Sequence, residues 1–293
     1  MHPVDRNESP TGRKLAPGLY LVATPIGNLE DITRRAERVL ASADHIACED
    51  RRVTSRLLHH LGLRRPLALY HEHNAAAARP ELLARLRAGQ SVALVSDAGT
   101  PAISDPGYKL VREAVAQGSA VYPLPGPSAT LAALIASGLP TDRFMFAGFL
   151  PPRSAARRRA LEELAAVRTT LVLFESPQRL AELLADAAAV LGPRPASIAR
   201  ELTKLHEEHR RGSLGDLAAA IAAEGPPKGE IVLVIGPADE PVGALDDAAV
   251  DELLREALRS EKPRVAAAAV ATATGRTANE LYRRALTLGR VPG

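Results

Sequence analysis

Between residues 19 and 124 short apolar runs alternate with amphipathic stretches, and few architectures accommodate that alternation. Segments 19–24, 45–49, 67–71, 91–97 and 120–124 read as strands, and 29–42, 51–61, 75–88 and 107–118 as helices. The pattern specifies a mostly parallel sheet covered by helices. From Pro127 the rhythm changes. An apolar helix to Ser137 precedes strands at 144–149, 169–175, 196–201 and 230–235, with helices near 154–166, 177–191 and 213–223. This reads as a second α/β domain with a mixed sheet, joined to the first around Pro125 to Pro127.

The expected division is a loose tail over 1–17, α/β domains over 18–125 and 126–237, a PADEPV linker at 237–242, and helices over 243–293. The last two helical patterns, RVAAAAVATATG and RTANELYRRAL, break at Gly275 with the spacing of a helix-turn-helix. A small helical cap without a nucleic-acid role has the same pattern.

In an open α/β sheet, ligands bind outside the carboxyl ends of the strands. Two Gly/Pro-rich loops stand there, LVSDAGTPAISDPG from Leu94 and VYPLPGPSA from Val121. Gly99, Gly107 and Gly126 allow backbone to approach a ligand, and the neighbouring prolines stiffen the chain. Ordinary turns use the same residues. Two such loops, each closing a strand, favour a small ligand held by main chain.

Several classes are excluded. No G-x-G and no GxxxxGK[ST] occurs, so the dinucleotide and phosphate-loop fingerprints are absent. The single cysteine, Cys48, rules out a disulfide framework and a cysteine-based zinc site. His206 and His209 are three apart rather than the four of a zinc helix, and no metal is expected. No 18-residue apolar run exists and the first residues lack an apolar signal core, so a soluble cytoplasmic protein without a membrane role is expected.

A net charge of +3 permits nucleic-acid binding without requiring it. Positive charge is local: Arg51, Arg52 and Arg56; Arg64 and Arg65; Arg153 and Arg157 to Arg159; Arg283 and Arg284. With no Trp and 3% aromatics, a base-stacking platform would have few members.

Other strand ends carry chemistry. In His71-Glu72-His73-Asn74, His71 or Glu72 binds substrate or accepts a proton, or else the histidines are merely exposed; Asn74 caps the next helix in either case. Asp50 in CEDRRVT is a helix cap or a functional carboxylate. Glu175-Ser176-Pro177, Glu201 to Lys204, and Lys228-Gly229-Glu230 form the other wall of a cleft between two domains, where ligands commonly bind.

Taken in order, ATPIGNLEDIT, CEDRRVT, YHEHN, SDAGTPAISDPG, PGPSA, FESPQR, ELTKLHEE and KGE resemble the ribosomal RNA small subunit methyltransferase I family, of the tetrapyrrole-methylase fold. The motifs run from about Gly18 to Gly236, and the terminal helices resemble that family's helix-turn-helix domain. The resemblance implies two α/β domains with a cofactor cleft between them. It implies methyl transfer from S-adenosylmethionine to the ribose 2′-oxygen of a cytidine in the decoding region of 16S ribosomal RNA, by a homodimer acting on the RNA or the small subunit. Donor contacts then fall at Pro25, at Ala98, Gly99, Thr100 and Ile103, at Ser128 and Ala129, and at Glu175, Leu202 and Gly229. For catalysis the expectation is Asp50 or His71 as base, with Arg52 and Lys204 holding phosphate or developing charge. In one departure, Arg51 stands where the family pattern has Thr, which requires the segment to face outward.

Three alternatives share part of this pattern: a methylase of the same fold acting on a tetrapyrrole precursor, one acting on a protein in the diphthamide pathway, and a non-enzymatic nucleic-acid binder using Arg283 and Arg284.

Overall fold

The computed structural model describes residues 14–103, 107–238, 247–274 and 276–288. Most of the expected tail and linker, the Ser-Asp-Pro turn at 104–106 and the break at Gly275 lie outside them. The chain divides into two compact units, Met1–Pro237 and Ala238–Gly293, so both sheets belong to the first.

The first sheet joins β1 (Gly18–Val22), β2 (His45–Cys48), β3 (Leu67–Leu69), β4 (Ser91–Val95) and β5 (Val121–Leu124) in the order β3-β2-β4-β1-β5. Every pairing is parallel. Side chains alternate across a strand, and both faces are used. Tyr20, Val22, Ile46 and Val95 pack with Val39 and Leu40 of α1 (Arg34–Ser42) and Leu57 and Leu58 of α2 (Arg51–His60). Leu19, Ala47, Val92 and Leu94 pack with Leu82, Leu83 and Leu86 of α3 (Ala75–Arg87) and Leu110 of α4 (Gly107–Ala116). Burial on both sides explains the near-continuous apolar runs.

The helix expected over 29–42 is divided. Asn28 Oδ1 accepts from the Glu30 amide at 3.0 Å above a short 3-10 turn, Leu29–Asp31, and Thr33 Oγ1 accepts from the Ala36 amide at 3.1 Å to start α1. Two capping side chains in succession end one turn and begin another.

After α5 (Ala129–Ala136) come β6 (Phe144–Phe149), α6 (Ser154–Ala165), β7 (Thr170–Glu175), α7 (Pro177–Leu191), β8 (Pro195–Arg200), β9 (Glu208–Ser213), α8 (Leu214–Glu224) and β10 (Ile231–Ile235). Their sheet has the order β6-β7-β10-β8-β9 and is mixed, with β6 parallel to β7 and the other pairings antiparallel. Ile231, Leu233 and Ile235 of β10 face α6 to α8, while Val232 and Val234 face Ala133 and Leu134 of α5, Leu202 and Ile26.

Strand β9, sequence EHRRGS, was not expected because it lacks apolar alternation. It is an edge strand carrying charge, a composition that discourages further pairing. Arg210 bonds Glu208 at 2.6 Å and Glu224 at 2.5 Å, and Arg200 bonds Glu208 at 2.9 Å. His209 lies in this strand, beside Glu207 at 3.1 Å. The arginine cluster at 153–159 is only partly a surface feature, since Arg157 is fully buried between Asp186 (2.7 Å) and Glu182 (3.1 Å).

The second unit contains α9 (Asp247–Leu258), α10 (Pro263–Thr274) and α11 (Ala278–Leu288), packed through Val250, Leu254, Val270 and Leu281. Arg284 pairs with Asp251 and, at 2.9 Å, with Asp247. That pairing corrects its expected place beside Arg283 on a nucleic-acid surface: Arg283 is exposed, whereas Arg284 holds α11 to α9. Among the described residues no helix is long and apolar enough to cross a membrane.

Leu233 is fully buried at the centre of the second sheet. Leu233→Ala is expected to lower unfolding free energy by about 2–5 kcal/mol, through lost transfer energy and the cavity left behind. Denaturant titration of wild type and variant checks it.

Candidate functional site

Adjacent parallel strands β1 and β4 deliver two loops to the same sheet edge, and the backbone joins them. Thr24 N–H donates to the Gly99 carbonyl at 2.9 Å and Gly99 N–H returns a bond to Thr24 at 3.0 Å. Thr24 Oγ1 also donates to the Ser96 carbonyl at 3.0 Å, and Thr100 Oγ1 to the Pro127 carbonyl at 3.3 Å. Three strand-end loops are thereby fixed together. Gly99 adopts φ 79°, a left-handed conformation that disfavours any side chain.

Beside them is a cavity of about 410 Å³, within the range of small-molecule and cofactor sites. Ala98, Gly99, Thr100 and Ile103 line it from the loop after β4, Ser128 and Ala129 from the start of α5, Glu175 from the end of β7, and Gly229 from the turn before β10. Pro25 does not line it. Leu202 does not either; it packs beneath, with Ile26, Val172 and Val232. The sequence reading missed Ile26, Phe149, Phe174 and Val232, which make the walls mostly apolar. No linear motif joins the two phenylalanines. A bulge between Phe146 and Gly148 sets Phe149 opposite Phe174, with ring centroids 5.7 Å apart.

Glu175 is the buried charge of this cavity. Its Oε1 accepts from the Ser176 amide at 2.7 Å, and Oε2 lies 3.1 Å from Arg179. Among the described residues nothing makes an aligned hydrogen bond to Oε2, which suits a cationic or N–H-bearing ligand.

A second cavity of about 290 Å³ shares Ile26, Ala98 and Glu230 with the first and is more polar, lined also by Pro25, Thr54, Arg56, Asp97 and Lys204. Lys204 Nζ bonds Glu201 at 2.7 Å and Glu230 at 3.1 Å. Burial opposes its charge, yet these carboxylates carry its pKa upward, and Lys204 lowers that of Glu201 in return. The Lys204 stem crosses Gly27, where an added Cβ would lie 2.4 Å from Lys204 Cγ. Glu201 and Thr203 both have positive φ, at 51° and 67°, so this lysine is held by a constrained turn.

The remaining expected residues are placed differently. Asp50 caps α2, accepting from the Arg52 amide at 2.7 Å, and pairs with the Arg52 side chain at 2.5 Å. The Arg52 guanidinium and amide hold its carboxyl at about 2, a poor level for taking a hydroxyl proton. Arg51 is exposed, as its departure from the family pattern requires. His71 lines neither cavity. Asn74 is not the side-chain cap expected for α3. Its Oδ1 accepts from the His71 amide at 2.8 Å and its Nδ2 donates to the Leu69 carbonyl at 3.0 Å, tying the turn backward instead. Asp97 was missed as an individual residue although its loop was singled out. The Asp50 amide donates to its Oδ1 at 2.9 Å, which lowers its pKa, but burial outweighs that bond and raises it.

Residues 18–218, which include the bridged strand-end loops, match the model of the Tetrapyrrole (Corrin/Porphyrin) Methylases. Residues 244–289 match that of the RsmI C-terminal HTH domain. A "Ribosomal RNA small subunit methyltransferase I" of Mesorhizobium japonicum is 54% identical over 99% of this chain and 98% of its own length. Its Escherichia coli O157:H7 namesake is 47% identical over 92% of this chain and 94% of its own. The chain therefore belongs to the ribosomal RNA small subunit methyltransferase I family. Among solved structures, a uroporphyrin-III-C-methyltransferase of Thermus thermophilus is similar at TM-score 0.54 and 27% identity, covering 75% of this chain and 94% of that one. A diphthine synthase shares the fold at TM-score 0.59 and 18% identity, over 74% and 89%.

Gly27→Ala is expected to displace Lys204 from its two carboxylates, whereas Gly99→Val strains the backbone that joins the loops. Isothermal calorimetry with S-adenosylhomocysteine separates them: Gly99→Val should lose binding by tenfold or more, and Gly27→Ala should stay within about threefold of wild type, on a scale where tenfold is about 1.4 kcal/mol.

Proposed function

We propose that this chain transfers a methyl group from S-adenosylmethionine to the ribose 2′-oxygen of a cytidine in the decoding region of 16S ribosomal RNA, in the cytoplasm and as a homodimer. The observation that carries the reading is the convergence of donor positions from both sheets on one 410 Å³ cavity, opening beside a polar one that contains Lys204. A related uroporphyrin-III C-methyltransferase has been crystallised with S-adenosylhomocysteine, at 21% identity and TM-score 0.53.

The donor supplies an electrophilic methyl carbon on a sulfonium whose thioether is a good leaving group. What the protein contributes is placement, worth up to about 7–11 kcal/mol when reactants are well oriented. Ile26, Phe149, Phe174 and Val232 exclude water from the donor, and Thr100, Ser128 and Glu175 give it polar partners. Lys204 and Arg56 offer positive charge to a phosphate on the acceptor side, where arginine and lysine are the usual partners.

A tetrapyrrole or diphthamide substrate is supported less well. The relatives named as ribosomal methyltransferases are about twice as similar as the solved uroporphyrin enzyme and match through the terminal helices. A non-enzymatic binder would leave the donor cavity without a purpose.

Primer-extension mapping of small-subunit RNA from a deletion strain is expected to lose one ribose-methylation stop in the decoding region, restored by the intact gene. An unchanged map would overturn the assignment. Lys204→Ala is expected to reduce kcat/KM for the RNA by about tenfold or more, as for loss of a charged hydrogen bond, while S-adenosylhomocysteine affinity is unchanged. A sedimenting mass twice that of the chain checks the dimer.

A further inference from the structure

We propose that Asp97 is the general base of the reaction, taking the proton of the acceptor hydroxyl. This rests on the reading above, in which the acceptor is a ribose hydroxyl and the polar cavity receives it.

Placement is the first argument. A base must lie within hydrogen-bond reach of the proton it removes while the hydroxyl oxygen faces the methyl carbon. Asp97 lines the polar cavity, and its neighbour Ala98 belongs to both cavities. A hydroxyl that enters on the polar side and approaches the donor across Ala98 therefore passes Asp97. The Thr24–Gly99 bridge fixes the backbone two residues further on.

The second argument is elimination among the carboxylates. Asp50 is committed to Arg52 and to capping α2, and it lines neither cavity. Glu201 is bound to Lys204 and to the Glu230 amide at 2.9 Å, and it too lines neither. Glu230 lines both cavities, but its side chain is 76% exposed and paired with Lys204. Glu175 lies in the donor cavity, fully buried against Arg179. Asp97 has no ion pair among the described residues. Its bond from the Asp50 amide fixes the carboxylate while occupying one of its roughly four lone-pair sites.

The surroundings of Asp97 suit that task. Burial, with the Asp50 carboxylate, raises its affinity for a proton, the Asp50 amide bond and the Arg52 charge oppose that rise, and Cys48 lies close enough to feel its charge. Arg56, Lys204 and Glu230 line the same cavity. In the step itself the acceptor O–H bond breaks with its proton passing to Asp97. The oxygen forms its bond to the methyl carbon, and the carbon–sulfur bond breaks with its electron pair remaining on sulfur. An alcohol, a sulfonium and a carboxylate become an ether, a neutral thioether and a carboxylic acid.

Asp97→Asn keeps an oxygen that can accept from the Asp50 amide and removes only the basicity. Single-turnover methyl transfer to small-subunit RNA from a deletion strain should fall by about 10²-fold or more, the ordinary contribution of a positioned base. Wild-type rates should rise with pH through the Asp97 titration and then level off, and the variant should lose that rise. S-Adenosylhomocysteine affinity should stay within about twofold. Carbon-13 NMR of the Asp97 carboxyl in the wild-type protein, which does not depend on any variant folding, should titrate where the rate does. A full rate in Asp97→Asn, donor affinity falling in step with rate, or a carboxyl titration apart from the rate profile would each overturn the proposal. Mass spectrometry of the wild-type product distinguishes the two levels: methyl on a base rather than a ribose is failure of the reading above, whereas ribose methylation with an unimpaired Asp97→Asn is failure of Asp97 alone.

Discussion

The reciprocal hydrogen bonds between Thr24 and Gly99 are the constraint on which the rest of the site depends. Parallel strands place their carboxyl ends on one edge but do not join the loops that leave them. Here one antiparallel bridge does so, and it demands a residue at 99 that accepts φ 79°. Once the two loops are joined, Ala98 stands with Ile26 and Glu230 between two cavities, one mostly apolar and the other more polar. In the proposed reaction the donor and acceptor need that proximity, and the sheet edge provides it.

Legibility in the sequence followed the physics of each element. The first sheet could be read because its strands are buried on both faces, so the apolar runs are nearly continuous and amphipathic helices separate them. The Gly/Pro-rich loops could be read because glycine and proline mark backbone constraints locally. Strand β9 could not, since its stability comes from pairing with β8 and from ion pairs among Arg200, Glu208, Arg210 and Glu224, none of which requires apolar alternation. Phe149 and Phe174 were missed for a related reason: a bulge in β6, visible only in three dimensions, sets one opposite the other.

Charged residues were the hardest to assign because partners decide their roles. In sequence Asp50 reads as a helix cap or a base and Arg52 as a partner for phosphate or developing charge; in the structure each satisfies the other at a helix start. Arg284 likewise serves the packing of α9 and α11 rather than an open surface. His71 stands at the carboxyl end of the edge strand β3, so sharing a rim with the glycine loops did not bring it to their cavities.

The same accounting explains the division of labour on the acceptor side. Asp50 and Glu201 are paired with Arg52 and Lys204, which hold their carboxyls below the usual range and leave them weakly basic. Pairing of this kind holds loops in place, and the stem of Lys204 over Gly27 extends it from the second sheet to the first. A proton acceptor needs the opposite treatment: burial without a cation, so that the neutral form is not penalised. Asp97 comes nearest to that treatment: it has no ion pair among the described residues, and burial raises its affinity for a proton although the Asp50 amide bond and the Arg52 charge oppose it. Asp50 thus contributes its backbone to the base and gives its side chain to the helix.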